Sequence, residues 1–167
     1  EAETKRVAPM ASADFEADGR TFIIVGAGAA AASAAETLRQ DGYQGKIVMI
    51  TREDDLPYDR TKLSKGYLKM SGEESYPPVL RSEEFYSEHD IEVLTGRKVM
   101  RIDTDERTIE LNDGTAMEYD AALLATGGRP RQLPVPGTEL ENVFLLRSVK
   151  DADALRGAIE DAMYGVV

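Results

Sequence analysis

"TFIIVGAGAAAASAAETLRQDG", residues 21–42, passes without a break from a β-rich apolar run, through two closely spaced glycines, into an alanine-rich stretch. The run 21–26 reads as a short strand ending on glycine, and 29–42 as a helix closed by Gly42. "KIVMIT", residues 46–51, supplies a second buried strand. Strand, helix and strand in so short a span is the unit of parallel α/β sheets, because parallel neighbours need a crossover.

Within that unit Gly26, Gly28 and Ala31 fit G-x-G-x-x-G/A. Gly26 permits the tight turn, Gly28 removes a Cβ where a pyrophosphate must approach the backbone, and Ala31 lets helix and strand pack closely. The free amides at the helix start, from Ala29 onward, face the phosphates; each charge there is worth ~0.3–1 kcal/mol at an exposed end. The motif points to a dinucleotide without saying which. A carboxylate at the end of the second strand is expected to bond the adenosine ribose. "TREDD", residues 51–55, offers Glu53, Asp54 and Asp55. Glu53 is the expected ligand, while the preceding Arg52 keeps open an NADP-type ligand with a phosphorylated ribose.

Further along, "SEEFYSEHD" (82–90) reads as a short helix capped by Ser82, with Glu83 and Glu84 in its first turn. "IEVL" (91–94) follows as a strand. "KVMRID" (98–103) and "RTIELNDGTAMEYD" (107–120), turning at Asp113-Gly114, suggest a small antiparallel meander that returns to a buried strand, "AALLAT" (121–126). "SVKDADALRGAIEDAM" (148–163) closes as a helix with a Ser148/Asp151 capping box and Leu155, Ile159 and Ala162 on one face. Residues 1–19 lack sustained periodicity and read as a linker or tail.

The chain has 167 residues and a formal net charge of -11. Such acidity opposes broad attraction to nucleic acid or to an anionic membrane. No apolar run suits a membrane span or an export signal, so a cytoplasmic location is expected. There is no cysteine, which excludes disulfides, Cys-ligated metal and a dithiol centre within this chain. Redox chemistry here needs a cofactor. No metal-ligand spacing occurs, and His89, the only histidine, reads as structural or solvated. Tyr43, Tyr58, Tyr76, Tyr86 and Tyr119 read as packing residues.

"DRTKLSKGYLK", residues 59–69, sets Arg60, Lys62, Lys65 and Lys69 close together in this acidic chain. With the preceding Leu56, Pro57 and Tyr58, the residues Arg60, Leu63, Ser64 and Lys65 resemble the L-P-Y-x-R-x-x-L-S-K loop of the pyridine nucleotide-disulfide reductase superfamily, in its ferredoxin-reductase and apoptosis-inducing-factor-like branch. Val99 in "VMRID" and the A-T-G-x-x-P signature of Ala125, Thr126, Gly127 and Pro130 in "LLATGGRP" carry the same resemblance. It covers residues 21 to about 163.

The resemblance implies an α/β fold: a Rossmann-like parallel sheet in an FAD-binding domain, residues 20–167, with a small antiparallel meander. It implies that Arg60 meets the FAD pyrophosphate side, that Lys65 reaches the flavin ring and serves catalysis, and that the Val99 backbone meets the adenine. It also implies NAD(P)H as co-substrate and a ferredoxin or Rieske-type iron-sulfur protein or domain as acceptor. The family's second glycine motif, a Glu partner for Lys65 and a returning G-D segment are not in the sequence. The expectation is therefore that these residues are the first part of a longer enzyme and are inactive alone. An NAD(P)-binding dehydrogenase domain and a non-catalytic nucleotide-binding or interaction module are the alternatives.

Overall fold

The computed structural model describes residues 9–69, 76–160 and 162–166. β1 (Thr21–Val25), α1 (Ala29–Gln40) and β2 (Lys46–Ile50) form the expected unit, with β1 and β2 parallel from Thr21↔Lys46 to Val25↔Ile50. After a long loop carrying two 3-10 turns, Arg60–Lys62 and Tyr67–Lys69, the chain forms α2 (Glu83–Glu88) and β3 (Ile91–Leu94). The meander β4 (Val99–Asp103), β5 (Thr108–Leu111) and β6 (Ala116–Glu118) follows, then β7 (Ala121–Leu124) and α3 (Val149–Glu160). The parallel sheet has the order β3-β2-β1-β7, and β4-β5-β6 is a separate antiparallel sheet.

Why β1 and β2 are apolar throughout is clear from what lies on each face. Phe22 and Ile24 turn toward Ala31, Ala35 and Leu38 of α1, whereas Ile23 and Val25 turn toward Ile109 and Leu111 of the meander. A strand covered on both sides has no solvent face to make polar. Burying each such side chain contributes roughly 1.5–3 kcal/mol. A third cluster joins Tyr58, Leu63 and Tyr67 of the long loop to Val149 and Ala152 of α3.

Arg39, near the end of α1, is wholly buried although no carboxylate among the described residues pairs with it. Its guanidinium donates to the carbonyls of Tyr43, Gly45, His89 and Asp90 at 2.7–2.9 Å, tying α1 to the segments entering β2 and β3. Burial lowers its pKa from the usual guanidinium value, so the four carbonyl dipoles are what hold the charge there.

Local expectations fare unevenly. Ser82 caps α2 by accepting from the Phe85 amide, His89 is a half-buried C-cap, and Gly114 takes a positive φ in the β5–β6 turn. Tyr43, Tyr58 and Tyr86 are buried, whereas Tyr76 is 68% exposed rather than packed. β7 is not the buried strand expected: it ends the parallel sheet, and Leu123 and Leu124 are 44% and 63% exposed. α3 spans 149–160 and presents Val149 and Ala152 inward, not the face of Leu155, Ile159 and Ala162; Ile159 is 53% exposed. Among the described residues the buried partners of α3 are Tyr58, Leu63 and Tyr67 of the loop, which pack on its first turn. In the described part of the N-terminal stretch, residues 9–19, the Ala11 amide donates to Arg39 O and the Asp14 amide to Gln44 O.

Candidate functional site

A cleft of about 890 Å³ opens where β1, β2 and β7 end. That is the carboxyl edge of a parallel sheet, where helix starts and loop tips converge. Its floor is the β1–α1 turn. Gly26 has φ +122°, and a Cβ built on it would stand 2.2 Å from the Ala125 carbonyl oxygen. Gly28 is the N-cap of α1, with no side-chain cap and no acidic residue in the first turn, and nothing lies within 4 Å of a Cβ built on it. The first amides of α1 are thus left without side-chain partners beside open space, the arrangement that receives an anion.

The walls come from four other segments. Thr51, Arg52 and Glu53 extend β2, Val99 begins β4, residues 125–130 follow β7, and Arg147, Ser148 and Asp151 start α3. The Asp151 carboxylate accepts from the amides of Arg147 and Ser148 while Ser148 Oγ accepts from the Asp151 amide, so the expected capping box is formed. Burial pushes the Asp151 carboxyl up, but the hydrogen bonds from Ser148 and Arg147 outweigh it and leave its pKa below the usual value. Burial, then the neighbouring Glu53 and Asp54, pushes the Asp55 carboxyl up.

Six cationic side chains line the cleft, Arg52, Arg60, Arg97, Lys98, Arg129 and Arg147, against the three acids Glu53, Asp55 and Asp151. In a chain of net charge -11 this local excess favours an anionic ligand. Arg60 pairs with Glu53 at 2.8 Å and Arg97 with Asp113 at 2.7 Å. Arg52, Lys98, Arg129 and Arg147 form no ion pair among the described residues.

Of the residues singled out from sequence, Gly26, Gly28, Glu53, Arg60, Val99, Ala125, Thr126 and Gly127 meet in this cleft. Ala31 is fully buried against the sheet, and Ala29, the first residue of α1, is exposed outside the lining. Lys65 is exposed, donates from Nζ to the Thr61 carbonyl at 2.9 Å, and does not line the cleft. Sequence reasoning missed Arg147. Its guanidinium lies over Gly127, 2.9 Å from where a Cβ would be, and the backbone there has φ +67°. The only local signal was its place directly before the capping box of α3.

A family model described as "Pyridine nucleotide-disulphide oxidoreductase" matches residues 20–167. The chain is 45% identical over 133 residues to the benzene 1,2-dioxygenase system ferredoxin–NAD(+) reductase subunit of Pseudomonas putida, covering 80% of this chain and 32% of that protein. It is 44% identical over 131 residues to human apoptosis-inducing factor 3, covering 78% of this chain and 21% of that protein. The crystal structure of the ferredoxin reductase for the CYP199A2 system from Rhodopseudomonas palustris superposes with a TM-score of 0.79 at 40% identity, over 85% of this chain and 35% of the other. The chain spans about a third or less of the length of these relatives.

Proposed function

The chain belongs to the pyridine nucleotide-disulphide oxidoreductase family, and from that premise we propose that residues 20–167 form the first part of the FAD-binding domain of an NAD(P)H-dependent reductase that passes electrons to an iron-sulfur acceptor. The observation that carries the reading is the cleft itself: an uncapped helix start and open space at Gly28, facing cations that form no ion pair among the described residues, across the end of a parallel sheet.

The donor set fits FAD. The α1 amides and Gly28 would receive the pyrophosphate, with the Arg147 guanidinium supplying charge that a planar fork matches to phosphate oxygens. Glu53 would face the adenosine ribose, the Val99 backbone the adenine, and the Ala125–Gly127 turn the flavin side. Bound flavin would accept hydride from a nicotinamide and release electrons singly. With no cysteine in the sequence, no residue of this chain can relay them as a dithiol. Lys65 remains the candidate catalytic side chain on the resemblance of its loop alone, since here it stands outside the cleft lining and bonds the Thr61 carbonyl.

A ferredoxin-type acceptor is supported by the name of the Pseudomonas relative; a Rieske-type protein or domain is the finer form of the same proposal. Among the described residues no helix is long and apolar enough to cross a membrane; action in the cytoplasm belongs to the proposal. Arg52 supports a second reading, a nicotinamide nucleotide in the same cleft, since a cation at the end of β2 without an ion pair among the described residues suits a phosphorylated ribose. Calorimetric titration of the chain with FAD, NADH and NADPH separates the two. FAD is expected to bind, weakly if the site is incomplete, and a preference for either nicotinamide nucleotide would favour the second reading. The longer protein is expected to carry a flavin absorption band and to reduce a ferredoxin with NAD(P)H.

A further inference from the structure

Arg60 stands where three segments meet. Its Nη2 donates to Glu53 Oε1 at 2.8 Å, and its Nη1 donates to the Tyr58 hydroxyl at 2.6 Å, to the Arg147 carbonyl and, at 3.4 Å, to Glu53 Oε2. The Tyr58 hydroxyl completes the ring by donating to Glu53 Oε2. Its side chain lies 4.7 Å from the guanidinium, ring centroid to carbon. Both terminal nitrogens of Arg60 are thereby engaged by protein acceptors. Nothing in the loop motif signals this, because the acceptors come from β2's end and from the start of α3.

We infer that Arg60 is a positioning residue, acting on the dinucleotide through Glu53 rather than by touching a phosphate; the inference rests on the reading that this cleft receives FAD. A carboxylate on the wall of a cleft that takes a diphosphate repels it unless neutralised. Arg60 does this with a two-point fork that also fixes where both carboxylate oxygens lie. The Arg147 carbonyl anchors the fork, and that carbonyl is itself held at the start of α3 by the Ser148/Asp151 box. Were Arg60 to turn to a phosphate, Glu53, only 22% exposed, would be left charged and unpaired. The cleft does not require that exchange, because four other cations line it without an ion pair among the described residues.

The test is a double-mutant cycle on the 167-residue chain, with FAD affinity measured by calorimetry for wild type, Arg60→Gln, Glu53→Gln and the double variant. Arg60→Gln is expected to weaken FAD binding roughly tenfold, because it leaves Glu53 charged beside the diphosphate. In the Glu53→Gln background the same substitution is expected to change affinity by less than about twofold. If the double variant is weaker than Glu53→Gln by the full factor seen in the wild-type background, Arg60 touches the ligand independently and the inference is overturned. Circular dichroism checks each fold; should Arg60→Gln not fold, Arg60→Lys, which keeps the charge but not the fork, runs the same cycle with the same criteria. Absence of FAD binding by the wild-type chain removes the reading and the inference together, whereas additivity removes the inference alone.

Discussion

Gly26 and Ala125 are in contact at the base of the cleft: the turn after β1 lies so close to the strand end of β7 that a Cβ on Gly26 would stand 2.2 Å from the Ala125 carbonyl oxygen and 2.7 Å from its carbon. The first glycine of the phosphate turn and the A-T-G signature, nearly a hundred residues apart in sequence, are therefore one packing unit. Gly26→Ala meets both this backbone and a φ of +122°, which L side chains rarely adopt. It is expected to destabilise the chain by about 3 kcal/mol or more, read as a lowered urea midpoint; an unchanged midpoint would refute the close approach.

Gly28 gives the opposite expectation. A Cβ there meets nothing within 4 Å, and its φ of -83° is open to any residue. Gly28→Val should therefore leave the unfolding midpoint close to wild type while filling the space before the α1 amides. FAD affinity is expected to fall by tenfold or more, about 1.4 kcal/mol, as measured by titration. Full retention of FAD by a folded Gly28→Val would remove the phosphate from this turn.

The contrast marks how far the sequence could be read. β1, α1 and β2 were legible because Phe22 through Val25 and Ile47 through Ile50 repeat one instruction, burial on both faces, which only a covered parallel sheet satisfies. The Ser82 and Ser148/Asp151 caps were legible because their partners lie three residues away. Arg39 was not, since nothing in "ETLRQDG" reveals that it is enclosed by the nearby carbonyls of Tyr43 and Gly45 together with those of the distant His89 and Asp90. β7, "AALL", is apolar throughout like most of β1, but exposure depends on what lies beyond it in the sheet, which composition does not encode. In the cleft the glycines were found by spacing, whereas the ion pairing of Arg60 and the placement of Arg147 arise from the crossing of β2's loop with α3.

Asp151 predicts a pH dependence. Its pKa in the folded chain lies below the ordinary carboxylate value, the net result of burial, which raises it, and the stronger effect of the Ser148 and Arg147 hydrogen bonds. A carboxyl with a depressed folded pKa binds fewer protons folded than unfolded. Its stabilisation is present above the unfolded pKa and is lost as pH falls through the folded one. Asp151→Ala should then cost about 1 kcal/mol near neutral pH, a typical helix-cap value. The difference from wild type should shrink as pH falls through the folded pKa, which lies below the ordinary carboxylate value. Urea unfolding of both proteins across that range checks it, and a pH-independent difference would assign the effect to packing.

Lys65 separates two roles for the basic loop. Its ammonium is exposed and donates to the Thr61 carbonyl, four residues earlier, so in this chain it ties a 3-10 turn to the segment that follows. If it also serves the flavin, its effect must differ between oxidation states, because the oxidised ring is neutral while the reduced ring tends to carry negative charge. An ammonium nearby then favours the reduced form. Lys65→Met in the flavin-loaded longer protein is expected to lower the two-electron midpoint potential, with ~30 mV corresponding to about 1.4 kcal/mol, while FAD retention changes little. Arg60→Gln is expected to do the reverse, weakening retention while leaving the potential nearly unchanged, since the diphosphate keeps its charge in both states. Redox titration of both variants at one pH and ionic strength makes the comparison. A potential unmoved by Lys65→Met would confine Lys65 to its bond with Thr61 and leave the flavin chemistry to residues outside this loop.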